Sequence, residues 1–188
     1  EDAQLLYDAQ LKEVPVVYTV AGDEAVALNS LPDVDWLPLG VVGKSSSVGL
    51  KIDGISRLSS PLYLYDAATR KCQELKEKEE VKVMANEHGR YFLTQTRSTT
   101  GIEDAEMGES DVKIYSPARG LIVVSKVNGP LLNKVEVYTL DGKLVAAKKA
   151  AGAVSVSIPV SSTSQTVYII RVSLMDMQTV ITKKLSLR

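Results

Sequence analysis

Apolar and polar residues alternate in short runs along most of this chain, and turn-forming residues separate the runs. The longest example is Val135-Glu136-Val137-Tyr138-Thr139-Leu140, which Asp141-Gly142 interrupts before Lys143-Leu144-Val145 resumes. Similar runs occupy 154–159, 167–172 and 180–187, and earlier ones 14–20, 25–29, 48–53, 81–83 and 90–94. Residues 62–65 run into the turn Asp66–Lys71 and return through 72–75. A period of two places alternate side chains on one face, so each run predicts a strand with one buried and one wet side. Strands arriving this often, with turns between them, predict an all-β fold of the sandwich or barrel kind. Asp141-Gly142 between two such strands predicts a type I′ hairpin turn with positive φ at both central positions. Only residues 1–12 carry apolar spacing compatible with a helix, and Pro15 closes that stretch.

Composition narrows the picture. The chain has 188 residues, 45% hydrophobic and 24% charged, which supports folded structure over most of its length. Aromatics make up 5%, mostly Tyr, so the core must come from Val, Leu and Ile, residues suited to pleated strands. At 188 residues there is room for one large or two small domains. The stretch 98–110 is small, polar and acidic without apolar periodicity, and predicts an exposed linker between bodies at 1–97 and 111–188. A formal net charge of −1 offers no basic field for nucleic acid and no polybasic face for anionic lipid. No apolar run approaches the roughly 20 residues that span a bilayer as a helix. The chain opens at Glu1 without Met, as a processed or truncated product would.

Candidate chemistry is sparse. Cys72 is the sole cysteine and His88 the sole histidine, so an intramolecular disulfide, a thiol–imidazole pair and a zinc site all lack parts. His88 falls in the turn Asn86-Glu87-His88-Gly89, and Cys72 reads as a half-buried strand residue. No Gly-x-Ser-x-Gly elbow occurs. Gly43-Lys44-Ser45 resembles the end of a phosphate loop, but Pro38 stands where the first glycine is required, and a strand follows instead of a helix. The acidic residues Glu103, Asp104, Glu106, Glu109 and Asp111 lack the spacing of a calcium loop. The run 74–80 mixes both charges and reads as a solvated turn. No carboxylate pair stands out for glycosidase chemistry. These absences predict a non-enzymatic protein without cofactor or metal. Trp36 beside Asp35 is the best ligand candidate, because an indole can stack on a sugar while a carboxylate bonds its hydroxyls; an indole closing one end of a sandwich is the competing reading.

The order of the last strands resembles the C-terminal sorting domain of the type IX secretion pathway of Gram-negative bacteria. The residues concerned are Tyr138 with Gly142-Lys143, Val167-Tyr168-Ile169-Ile170, and the Lys-rich end Lys183-Lys184-Leu185-Ser186-Leu187-Arg188. The first hundred residues resemble the β-sandwich that precedes that domain in many surface proteins, through Leu62, Leu64, Asp66, Leu75, Gly89, Arg90, Phe92 and Leu93. Leu28-Asn29-Ser30-Leu31-Pro32 and Leu37–Gly40 add to that likeness. The resemblance implies two β-sandwiches in tandem, immunoglobulin-like or jelly-roll-like, in a secreted or cell-surface protein. It implies that Gly142, Lys143 and residues 183–188 serve recognition by the outer-membrane secretion machinery. An extended strand there would offer backbone groups for β-augmentation by a receptor. The alternative function is a carbohydrate- or protein-binding adhesin or stalk module, whose partners would be other surface proteins or a glycan.

Overall fold

The computed structural model describes residues 3–4, 14–31, 34–96, 112–127, 129–161, 166–176 and 178–187. Among them the chain is all-β, with several sheets, one three-residue 3-10 turn and no α-helix. It divides into two compact units, Glu1–Ala21 with Val26–Ile102 and Gly22–Ala25 with Glu103–Arg188. The acidic stretch 98–110 lies outside the described residues, and so does Arg188. Most of the stretch expected as a helix does too. Its described pair, Ala3–Gln4, is extended and pairs with a later strand. A helix this short is marginal in water, so a strand edge offering backbone partners prevails.

The first part of the chain supplies β1 (Ala3–Gln4), β2 (Val16–Ala21), β3 (Glu24–Leu28), β4 (Leu37–Val42), β5 (Ser47–Lys51), the 3-10 turn Ile55–Arg57, β6 (Tyr63–Asp66), β7 (Lys71–Glu74), β8 (Glu80–Met84) and β9 (Tyr91–Thr94). One sheet runs β3-β2-β4-β9-β6-β7, while β5 and β8 pair separately as a ribbon. Alternation decides what each strand buries: β8 hides Val81 and Val83 and exposes Lys82 and Met84. Those valines join Leu39, Val41, Leu62, Leu64, Leu75 and Tyr91 in one core, with Val48 and Leu50 of the ribbon packed against it. Pro38 and Gly40 lie in a strand with neighbours on both sides, where breakers are usually avoided. Gly40 has a local cause. It faces Tyr18 across β2–β4, and a Cβ there would sit 2.0 Å from Tyr18 Cζ. The ring of Tyr18 occupies the space that a side chain would need.

The second unit supplies β10 (Val112–Ala118), β11 (Leu121–Lys126), β12 (Leu132–Thr139), β13 (Leu144–Ala153), β14 (Ser155–Pro159), β15 (Thr166–Leu174) and β16 (Val180–Leu187). Its pairings give the order β14-β11-β10 in one group and β13-β12-β15-β16 in a four-stranded sheet. Both contribute to one core. Val112, Ile122, Val124 and Ile158 meet Leu132, Val135, Val137, Ile170, Val172, Ile181 and Leu185 there. Each such side chain removed from water stabilises the unit by roughly 1.5–3 kcal/mol before entropy is counted.

Candidate functional site

The hairpin joining β12 and β13 is not the type I′ turn expected from Asp141-Gly142. Only Gly142 has positive φ, at 85°; Leu140 and Asp141 do not. The Gly142 amide donates to the Thr139 carbonyl at 3.0 Å and the Thr139 amide to the Lys143 carbonyl at 3.0 Å. This is a turn closed at its fourth residue, the left-handed Gly142, which forms a bulge, the usual solution for a three-residue loop. Thr139 explains the choice. Its hydroxyl bonds Asp141 Oδ1 and also accepts from the Lys143 amide at 3.2 Å, which fastens the longer loop. The Thr139 hydroxyl beside it, above all, holds the Asp141 carboxyl below its ordinary range. Lys143 is exposed at this tip.

In β16 the expected faces are observed. Ile181, Leu185 and Leu187 are buried, Val180, Thr182 and Lys184 are exposed, and Ser186 is half-buried. Lys183 faces the core side with those apolar residues, half-buried, and its Nζ donates to the Val112 carbonyl of β10 at 3.0 Å. At the opposite edge of the same sheet, Lys148 stands opposite buried Val135. It donates to the Ser157 carbonyl of β14 at 3.1 Å. Each lysine ends on a carbonyl of a strand in the other group. Lys148 was not nominated from the sequence, because its role depends on β13 being an edge strand.

In the first unit, two of the residues carrying the family resemblance, Asp66 and Arg90, form one ion pair. Arg90 Nε and Nη2 donate to Asp66 Oδ1 and Oδ2, both at 2.8 Å. The Ala68 amide donates to Asp66 Oδ1 at 3.0 Å, and the Ala67 amide to the Arg90 carbonyl at 2.9 Å. Burial alone would raise the Asp66 carboxyl, but its bonds from Arg90, Thr69 and Ala68 hold it below the usual range. The Asp66 hydrogen bond, first, raises Arg90. Leu62, Leu64, Leu75 and Phe92 are buried, and Gly89 takes φ 74° on entry to β9. The arrangement is architectural: it fixes the β6–β7 turn to β9.

Trp36 is half-buried with φ 47°, its ring meeting that of Tyr65 edge-on at 5.2 Å and 90°. Asp35 is exposed, and its Oδ1 accepts from Thr94 Oγ1 at 3.3 Å. The two nominated ligand residues are therefore adjacent, each engaged by the body of the first unit. An open groove of about 250 Å³ lies elsewhere in the unit, bounded by Asp66, Lys71, Gln73, Lys82, Met84 and Arg90 among others. It runs beside β7 and β8, each the last strand of its sheet.

Three more polar ties went unread in the sequence. Tyr18, almost wholly buried, places its hydroxyl 2.6 Å from His88 Nδ1, and burial lowers the His88 pKa although Glu87 opposes the shift. Asn86 donates to the Gly43 carbonyl and accepts the Gly43 amide, pinning the Gly-Lys-Ser bend to the turn before β9. Glu77, from the mixed-charge run, accepts amides of Gly54 at 2.8 Å and Ser56 at 3.1 Å. Its pKa falls to about 2, through Asp53 first and then these amides, while Asp53 rises beside it. Cys72 is half-buried in β7. Among the described residues no cluster of His, Cys, Asp and Glu could hold a metal ion, and no helix is long and apolar enough to cross a membrane.

Residues 100–186 are similar to a family described as a domain of unknown function, DUF8694, a match that covers most of the second unit and less than half of the chain. No curated protein matches the chain.

Proposed function

We propose that this chain is a non-catalytic region of a secreted or cell-surface bacterial protein, built from two β-sandwiches, whose second domain serves export or surface attachment. The observation that carries the reading is the strand plan of the second unit. Its first, second and fifth strands form one group, and its third, fourth, sixth and seventh form the other. That is a Greek-key plan of the immunoglobulin kind. Tyr168, near the start of the sixth strand, donates its hydroxyl to the Ser161 carbonyl at 3.2 Å, in the manner of the tyrosine corner of such domains. The residues to which the resemblance assigns recognition, Arg188 aside, then fall at two places on this scaffold, the exposed Gly142-Lys143 tip and edge strand β16. Thr182 and Lys184 face outward from β16 while Leu185 and Leu187 anchor it. An anchored edge strand with a polar outer side suits recognition by strand addition.

The test is a secreted reporter fused to the full chain in a host with the type IX pathway. Replacing Lys184 and Ser186 by Gln and Asn leaves the anchoring leucines in place, and removing 184–188 does not. Loss of surface display in both supports side-chain recognition; loss in the deletion alone supports recognition of the folded edge. Normal display of the deletion reporter would sink the sorting reading, and the adhesin or stalk reading would replace it.

A further inference from the structure

The whole-chain charge of −1 conceals a division. Residues 112–188 carry eleven Lys and Arg against three Asp and Glu, whereas 1–111 carry eleven against twenty. The three carboxylates within 112–188 all have local partners. Glu136 takes Lys134, Asp141 takes Thr139, and Asp176 takes the Gln178 and Thr179 amides with the Thr179 hydroxyl.

Register shows where the cations go. Directly opposed residues of an antiparallel pair point to the same side of the sheet. Val135, Val137, Ile170, Val172 and Leu185 define the core side. On the outer side, Lys149 opposes Lys134, Glu136 opposes Arg171, and Tyr138 opposes Ile169, which in turn opposes Lys184. Lys149, Arg171 and Lys184 are exposed. Four cations and one carboxylate therefore share one face, and among the described residues neither Lys149 nor Lys184 has an ion-pair partner. Lys149 on β13 and Lys184 on β16 stand at opposite corners, about 20 Å apart by strand and residue spacing.

We propose that the outer face of the sheet β13-β12-β15-β16 binds an anionic polysaccharide. The cations hold its carboxylate or phosphate groups, and Tyr138, half-buried among aliphatic neighbours, lies under a sugar ring. A repeating polyanion suits charges spread over several sugar lengths better than a single small anion does. Thr182 and Ser186 add hydroxyl groups on the same face. The face has one aromatic ring where single-stranded nucleic acid uses successive stacking platforms, and a four-stranded face is too broad for the grooves of a duplex. The proposal is independent of the export reading, because it concerns binding by the purified chain.

The experiment measures binding of the full chain to polygalacturonate by calorimetry, with neutral dextran, polyaspartate, DNA and phosphatidylglycerol vesicles as comparators. Polygalacturonate should bind with affinity that falls as salt rises, more tightly than polyaspartate of similar length, while dextran should not bind. Lys149→Gln with Lys184→Gln should weaken it about tenfold. Lys113→Gln with Arg119→Gln removes as much charge from β10 and its turn and should change affinity by less than about twofold. Tyr138→Ala should narrow the preference for polygalacturonate over polyaspartate. Absence of binding, equal loss in both double variants, or tighter binding of polyaspartate, DNA or vesicles overturns the proposal.

Discussion

The two units solve the same problem by different means. Among the described residues, the largest core cluster of the second unit holds eighteen buried side chains and that of the first nine, with Tyr18, Tyr63, Tyr65 and Phe92 of the first unit buried outside its cluster. The first unit splits its apolar burial and adds polar ties over long sequence separations, part-buried for Asp66 to Arg90 and Tyr18 to His88 and exposed for Gly43 to Asn86 and Gly54 to Glu77. In the second unit, ties of this kind run from the edges of the four-stranded sheet, through Lys148 and Lys183. Apolar packing is non-directional and tolerates rearrangement of neighbours, whereas a buried polar pair loses more than its own bond when one member goes. The first unit should therefore be sensitive to single polar changes and to pH, and the second to lost volume.

The largest effect is expected from Leu185→Ala. Leu185 is about 1% exposed in the middle of the second core, and removing its branched end leaves a cavity lined by well-packed strands. The second unit should lose about 3 kcal/mol. Fluorescence of Trp36, the only tryptophan, reports the first unit and should keep its midpoint. Hydrogen exchange in β12 and β15 should rise. If exchange rises equally in β6 and β9, the units do not unfold separately and the contrast fails.

A smaller loss is expected from Arg90→Ala. The Asp66 and Arg90 side chains are 18% and 20% exposed, so truncating one strands a largely buried charge, and the contact of the guanidinium with the Tyr91 ring at 5.1 Å goes with it. The first unit should lose about 2 kcal/mol, less than for a fully buried pair. Arg90→Lys should recover only part, because an ammonium cannot match the two-pronged geometry. Full recovery by lysine would mean that charge alone matters there.

The same contrast explains what could be read in advance. Val180–Leu187 was legible to the residue, with its faces, because a half-buried strand with apolar partners shows its period. The all-β class followed from many such runs. β4 was not read as a strand, because Pro38 and Gly40 look like breakers; the reason for Gly40 is a tyrosine more than twenty residues earlier, and nothing local announces it. β10 and β11 were not nominated either, with Pro117 near the end of one and Arg119-Gly120 between them. The turn at Asp141-Gly142 was located correctly and typed wrongly, since Thr139 outside the dipeptide decides it. Of the candidate site, the exposed tip and edge strand were readable. The core-side lysines were not, because their partners lie on other strands. The basic face was present in the sequence as an uneven distribution, which the sum over the whole chain averaged away.

The smallest effect is a pH dependence confined to one unit. His88 lies against Tyr18, and burial holds its pKa below the ordinary value, with Glu87 opposing. A neutral imidazole can accept at Nδ1 the proton that the Tyr18 hydroxyl donates, whereas a protonated ring offers only donors there. The unfolded chain takes up the proton near pH 6.5, and the folded one resists until lower pH. Stability from this group is therefore complete above about pH 6.5 and falls as pH drops through the depressed folded value. Residues 112–188 contain no histidine, and Glu136, Asp141 and Asp176 among them are all shifted downward, so these three contribute losses only in more acid solution. Between pH 7.5 and 5.5 the Trp36 midpoint should fall while exchange protection of β12 and β15 holds steady. His88→Gln keeps a side chain able to bond Tyr18 but cannot titrate, and should flatten the first unit's profile at some cost in stability at neutral pH. An unchanged slope in that variant would show that His88 does not carry the first unit's acid sensitivity.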